Sequence, residues 1–142
     1  MLTAKDISEY FIYKASIDED IITNLKIQKL LYYTQGFSLA MFDAPVFKEA
    51  IQKWTHGPVI PEIYHLYKEH GAGAIPSIEK IDYTKYGEKI VGLLDEIYSV
   101  YGQFSGWALR DMTHQEPPWL NTPDGQEISL DLMKEYFKTR IA

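Results

Sequence analysis

The 142-residue chain contains no cysteine, which excludes a disulfide framework, a thiolate metal site and a cysteine nucleophile. That absence suits a reducing compartment, and the expected location is the cytoplasm. Positive charge is also scarce: fourteen Lys and Arg stand against twenty Asp and Glu, a formal net charge of −6. Phosphate backbones are repelled by such a balance unless the basic residues gather on one face, so non-specific nucleic-acid binding is disfavoured. No apolar run is long enough to cross a bilayer. Residues 1 to 10, charged at Lys5, Asp6 and Glu9, lack the apolar stretch of a signal peptide. No GxSxG elbow, Walker loop, kinase signature or dinucleotide fingerprint occurs, and no repeat, low-complexity tract or linker divides the chain.

What is present fits a folded domain. Hydrophobic residues make up 46% and charged residues 24%, unlike a disordered chain, and the length suits one domain over residues 1–142. Thr3 and Asp6 form a capping-box pattern ahead of Ala4, Ile7, Tyr10 and Phe11, predicting a helix over about residues 3 to 15. The acidic run Asp18, Glu19, Asp20 reads as a solvated loop. From a cap at Thr23 or Asn24, Ile27, Leu30, Leu31, Thr34, Phe37 and Met41 line one stripe of the longest helix. Its other stripes, Gln28, Tyr32 and Gln35, and Lys26, Lys29 and Tyr33, must face something specific.

A short β element is expected around residues 49–55. His56, Gly57 and Pro58 read as a turn, and Pro61 opens a helix expected to bury Ile63, Leu66 and Tyr67 before Gly71 ends it. Residues 71–83 read as a surface loop. Ile90, Leu94, Ile97, Tyr98 and Tyr101 repeat at helical spacing, with Tyr98 and Tyr101 as core filling. Ser105 caps a short helix that Pro117 and Pro118 stop, and Ser129 or Asp131 caps a last helix with Leu132 and Tyr136 inward. The expected fold is mainly α, a compact bundle of about six helices with that one β element.

Four histidines occur, at 56, 65, 70 and 114. His65 and His70 stand five apart, on different helix faces, whereas a zinc pair needs a spacing of three or four. No metal, cofactor or catalytic nucleophile is expected.

Three blocks are distinctive: LKIQKLLYYTQG at 25–36, KWTHGPVIPEIY at 53–64 and MTHQEPPW at 112–119. Together they resemble the Panacea domain antitoxin family, which includes SocA-like and phage-associated GepA-like proteins. The likeness runs from about Leu2 to the last helix. It departs at His56, where an aromatic or small polar residue is more usual, and in the short acidic loop before the second helix.

The resemblance implies an antitoxin that neutralises a co-encoded toxin by direct protein contact, in some relatives by delivering it to a protease. The residues in the family motif are Lys26, Gln28, Lys29, Tyr32, Tyr33, Gln35, Trp54, His56, Gly57, Pro58, His114 and Trp119. Eleven tyrosines and three tryptophans supply interface anchors, although most are expected in the core. An internal hydrogen-bond network of Gln28, Lys29, Tyr32 and Gln35 with Trp54, His56 and His114 is preferred over direct toxin contact by those residues. Gly57 and Pro58 are expected to shape the backbone. His114 ties a helix end, and Trp119 packs back on the core.

The negative charge favours a basic partner. Two other readings stand behind the antitoxin. One is a stand-alone phage or host regulator that binds nucleic acid, disfavoured by the charge and by the lack of a basic recognition helix. The other, ranked last, is a small metal-dependent hydrolase using His56 and His114.

Overall fold

A computed structural model describes residues 1–141. Its helices are α1 (Ala4–Ile17), α2 (Asn24–Phe42), α3 (Pro61–Tyr67), α4 (Glu88–Tyr101), α5 (Gly106–Thr113), α6 (Pro117–Leu120) and α7 (Leu130–Lys138). Two short strands, β1 (Gln52–Trp54) and β2 (Gly57–Val59), complete the mainly helical fold. None of the described helices is long and apolar enough to cross a membrane.

Local chemistry sets the helix ends. The Thr3 side chain accepts from Asp6 N while the Asp6 carboxylate accepts from Thr3 N, a complete capping box. Thr23, Ser105 and Ser129 cap α2, α5 and α7 in the same way, each accepting a backbone N–H three residues on. Asp43 ends α2 in the left-handed region at φ 56°.

α2 is the axis of the molecule, packed against α1, α3, α4, α5, α7 and β2. It is covered almost all round, so its polar residues are buried along with Ile27, Leu30 and Leu31. Its C-terminal end emerges most, with Phe37 half-buried and Met41 exposed, and Leu25 is half-buried at its start. Gly36 lets α7 approach closely, because a Cβ there would lie 2.1 Å from the Phe137 ring. α7 thus enters core space that only glycine leaves open.

β1 and β2 form an antiparallel hairpin with Gln52 opposite Val59, Lys53 opposite Pro58 and Trp54 opposite Gly57. The expected single strand is therefore a hairpin, and Gly57 and Pro58 belong to its second strand rather than to the turn, which is Thr55–His56. Pro58 is tolerated because β2 is an edge strand. The free side of β1 is covered by the segment before α7: Lys53 N donates to Gln126 O at 2.9 Å and Ile128 N to Ile51 O at 2.7 Å. The 71–83 loop is pinned where Ile75 N donates to Ile22 O at 2.9 Å.

Three sequence expectations are corrected. Pro117 and Pro118 do not merely stop a helix: they start the single turn of α6, whose first positions need no amide hydrogen. In α7 the buried residues are Met133 and Phe137 rather than Leu132 and Tyr136, which are half-buried. In α3, Ile63 and Tyr67 are buried but Leu66 is exposed.

Candidate functional site

The six motif residues on α2 are all buried. Gln28 accepts from Ile60 N at 2.8 Å and donates to Asn24 at 3.0 Å. Gln35 donates to Phe47 O and accepts from Val46 N, at 2.8 and 2.9 Å. Both amides therefore bind the backbone of the segments that wrap α2, and not Trp54, His56 or His114. Tyr32 and Tyr33 each donate 2.9 Å hydrogen bonds to a different oxygen of Glu116. Burial raises the Glu116 pKa above the usual carboxylate range, while the two hydroxyls hold it down. Burial and the Glu116 charge push both tyrosine hydroxyls upward.

Both lysines end on backbone carbonyls. Lys26 donates to Gly102 O at 2.6 Å and Lys29 to Pro58 O at 3.1 Å. Burial lowers both amines, with Arg110 adding to the effect on Lys29, which is held down to about 7. Gly57 has φ 108°, and a Cβ on it would meet Lys29 Cε at 2.6 Å and Thr113 Oγ1 at 2.9 Å. Glycine is thus required there both by conformation and by the lysine stem passing beneath the strand.

The hairpin and the tail block meet through their aromatic rings. Trp119 donates its indole N–H to Trp54 O at 2.9 Å, and its ring stacks on His114 with centroids 4.0 Å apart. Lys53 Nζ lies 4.1 Å over the same Trp119 ring. His114 is the C-cap of α5; burial, then the Arg110 charge, lowers its pKa, and its Nε2 has no partner. His56 is apart from this stack. It is exposed at the hairpin turn, with its ring 5.1 Å from Trp107, edge to face.

These elements border a groove of about 850 Å³ between the hairpin tip and the starts of α2 and α5. Gln28, Lys29, Trp54 and His56 from the motif line it, joined by Tyr64 and Trp107. Trp54 and Tyr64 meet edge to face at 5.0 Å. Trp107 is 56% exposed at the groove edge, with the Arg110 guanidinium 5.5 Å from its ring. Tyr32, Tyr33, Gln35, His114 and Trp119 do not reach the groove. No cluster of three or more His, Cys, Asp or Glu able to hold a metal ion occurs among the described residues.

The family model described as "Antitoxin SocA-like, Panacea domain" matches residues 27–120, more than half of the chain. The chain belongs to this family. It is similar to "Antitoxin SocA" of Caulobacter vibrioides (strain NA1000 / CB15N), at 31% identity over 68 residues. That match covers 48% of this chain and 36% of the SocA protein, so it spans little more than a third of the relative's length. No solved structure matches.

Sequence reasoning assigned no role to Glu116, Tyr64, Arg110 or Trp107. Glu116 lies within the third motif block, but its tyrosine partners are 83 and 84 residues away in the chain. Trp107 carried a readable signal. A helix capped at Ser105 turns Leu109 and Thr113, four apart, to the core, and that phase leaves Trp107 outside.

Proposed function

We propose that this Panacea-family protein is an antitoxin that neutralises a co-encoded toxin by direct binding, and that the toxin docks on the groove between the hairpin tip and α5. The observation that carries the reading is Trp107. A tryptophan 56% exposed beside an aromatic-lined groove, flanked by His56, is the kind of anchor that dominates protein interfaces. Family membership supports the antitoxin role. Two buried motif residues hold the groove walls, since Gln28 fixes the entry to α3 and Lys29 fixes β2, while the half-buried Glu116 and Trp119 tie the tail to α2 and the hairpin behind it.

The overall charge of −6 steers a basic toxin toward the chain. Delivery of the bound toxin to a protease is a second outcome of the same docking, since it requires only that the toxin be held. Co-expression with the product of the adjacent reading frame tests the function. Growth rescue with a stable complex is expected. A toxic neighbour that is neither bound nor neutralised contradicts the reading.

A further inference from the structure

The end of α2 and the outer side of α4 border a second groove, of about 880 Å³, which shares no lining residue with the one at the hairpin. Met41, Val100 and Ile141 stand exposed around it, and Leu93 and Ile97 form its buried floor. The two helices run antiparallel here. Lys89 Nζ, at the start of α4, lies 4.6 Å over the Phe42 ring, whereas Tyr101, at its end, meets the Phe37 ring at 6.1 Å. Met41 therefore sits toward one end of the groove and Val100 toward the other.

On α4, Lys89, Gly92, Glu96 and Val100 are exposed on this side, at spacings of three and four that keep them on one stripe. Gly92 is not explained by the chain's own packing. Glycine is a poor helix former, yet a Cβ at 92 would meet nothing within 4 Å, and its φ is not in the left-handed region. What it provides is room for another backbone to approach. Lys89 and Glu96 have no ion-pair partner among the described residues. They stand seven residues apart, two turns along one face, and the midpoint between them is the Gly92–Leu93 peptide.

We propose that this face is the two-fold interface of a dimer of the chain, in which the α4 helices of two copies cross antiparallel at Gly92. A second α4 carries the complementary charges in the same stripe. An axis through the Gly92–Leu93 peptide sets Lys89 of each copy against Glu96 of the other, two pairs from one pattern. The same rotation sets Val100 of each copy against Met41 of the other and covers the exposed apolar residues at both ends. Apolar burial supplies most of the attraction and the exposed ion pairs fix the register. Each copy carries a charge of −6, so two copies meet where the stripe's own charges cancel. The hairpin groove stays open in both copies, and the dimer offers two docking grooves.

The test is sedimentation equilibrium of the purified chain over a dilution series from millimolar to micromolar concentration. A species of twice the 16.4 kDa chain mass is expected, dissociating on dilution. Gly92→Leu fills the space at the axis, where a Cβ meets nothing of its own chain. That variant should stay folded by circular dichroism and raise the dimer's Kd at least about tenfold through overpacking between the copies.

Charge reversal reads the register. Lys89→Glu and Glu96→Lys, both at exposed positions, each turn two attractive contacts into two repulsive ones and should raise the Kd about tenfold. The double variant restores both pairs and should return the Kd to within about threefold of the native value. A chain that stays monomeric at every concentration overturns the proposal. A dimer whose Kd ignores Gly92→Leu, or a double reversal that fails to rescue, also overturns it. Toxin binding weakened by Gly92→Leu in a chain that never dimerises would assign this face to the toxin and overturn it too.

Discussion

The Trp119 indole donates to the Trp54 carbonyl at 2.9 Å, and through this bond the tail block holds the hairpin block 65 residues away in the chain. Trp119→Phe keeps most of the ring but removes the donor, leaving the Trp54 carbonyl without it. A loss of about 1 kcal/mol is expected, measured as a lower urea midpoint with unchanged slope. Hydrogen exchange at the hairpin amides should quicken more than at the centre of α2, because the bond restrains the hairpin edge.

Glu116 satisfies two buried hydroxyls at once, from Tyr32 and Tyr33. Glu116→Ala strands both and should cost about 1–3 kcal/mol for each stranded hydroxyl. The variant with Tyr32→Phe and Tyr33→Phe added removes those hydroxyls and should recover part of that loss. Equilibrium denaturation of the single and triple variants checks the sign, since a purely steric role for Glu116 predicts no recovery.

The contact between Gly36 and Phe137 allows no added atom, with a Cβ 2.1 Å from the ring. Gly36→Ala should therefore displace α7 and cost roughly 1–3 kcal/mol or more from overpacking. Phe137→Leu in the same chain should relieve some of this, and thermal melts of the two variants would show it.

Lys29 gives a pH signature. Its amine is held down to about 7 in the folded protein, while an unfolded lysine titrates near 10.4. Between about pH 7 and 10 the unfolded chain binds the additional proton, so stability rises with pH in that window. Above about pH 10 the buried tyrosines oppose this, because their raised pKa values let the unfolded state ionise first. Urea unfolding at pH 7, 8 and 9 should show stability rising with pH in the native sequence, and Lys29→Met should rise less, keeping only the contribution of the lowered Lys26 amine.

Much of the fold is legible in the sequence where one rule acts alone. Thr3, Thr23, Ser105 and Ser129 are strong caps, and each starts a helix where its neighbours predict one. Legibility fails where partners distant in sequence decide. In α7, Leu132, Met133, Tyr136 and Phe137 permit two phases of inward packing; the notch at Gly36 receives Phe137, and Met133, four residues before it, is buried on the same face. The polar stripes of α2 announce that they need partners, but the partners include the backbone of residues 46, 47, 58, 60 and 102, whose chemistry any residue can supply. His56 stands beside motif residues in sequence yet lies outside at Trp107, because the two-residue turn projects it from the hairpin.

The central claim is that the toxin docks at Trp107, and the most direct measurement is calorimetric titration of the neighbouring gene product into the native protein and into Trp107→Ala. Trp107 is more than half exposed, so the variant should melt at the native temperature. The account predicts that it binds at least about 2 kcal/mol more weakly, a roughly thirtyfold rise in Kd. An unchanged Kd with native-like melting would contradict docking at this groove.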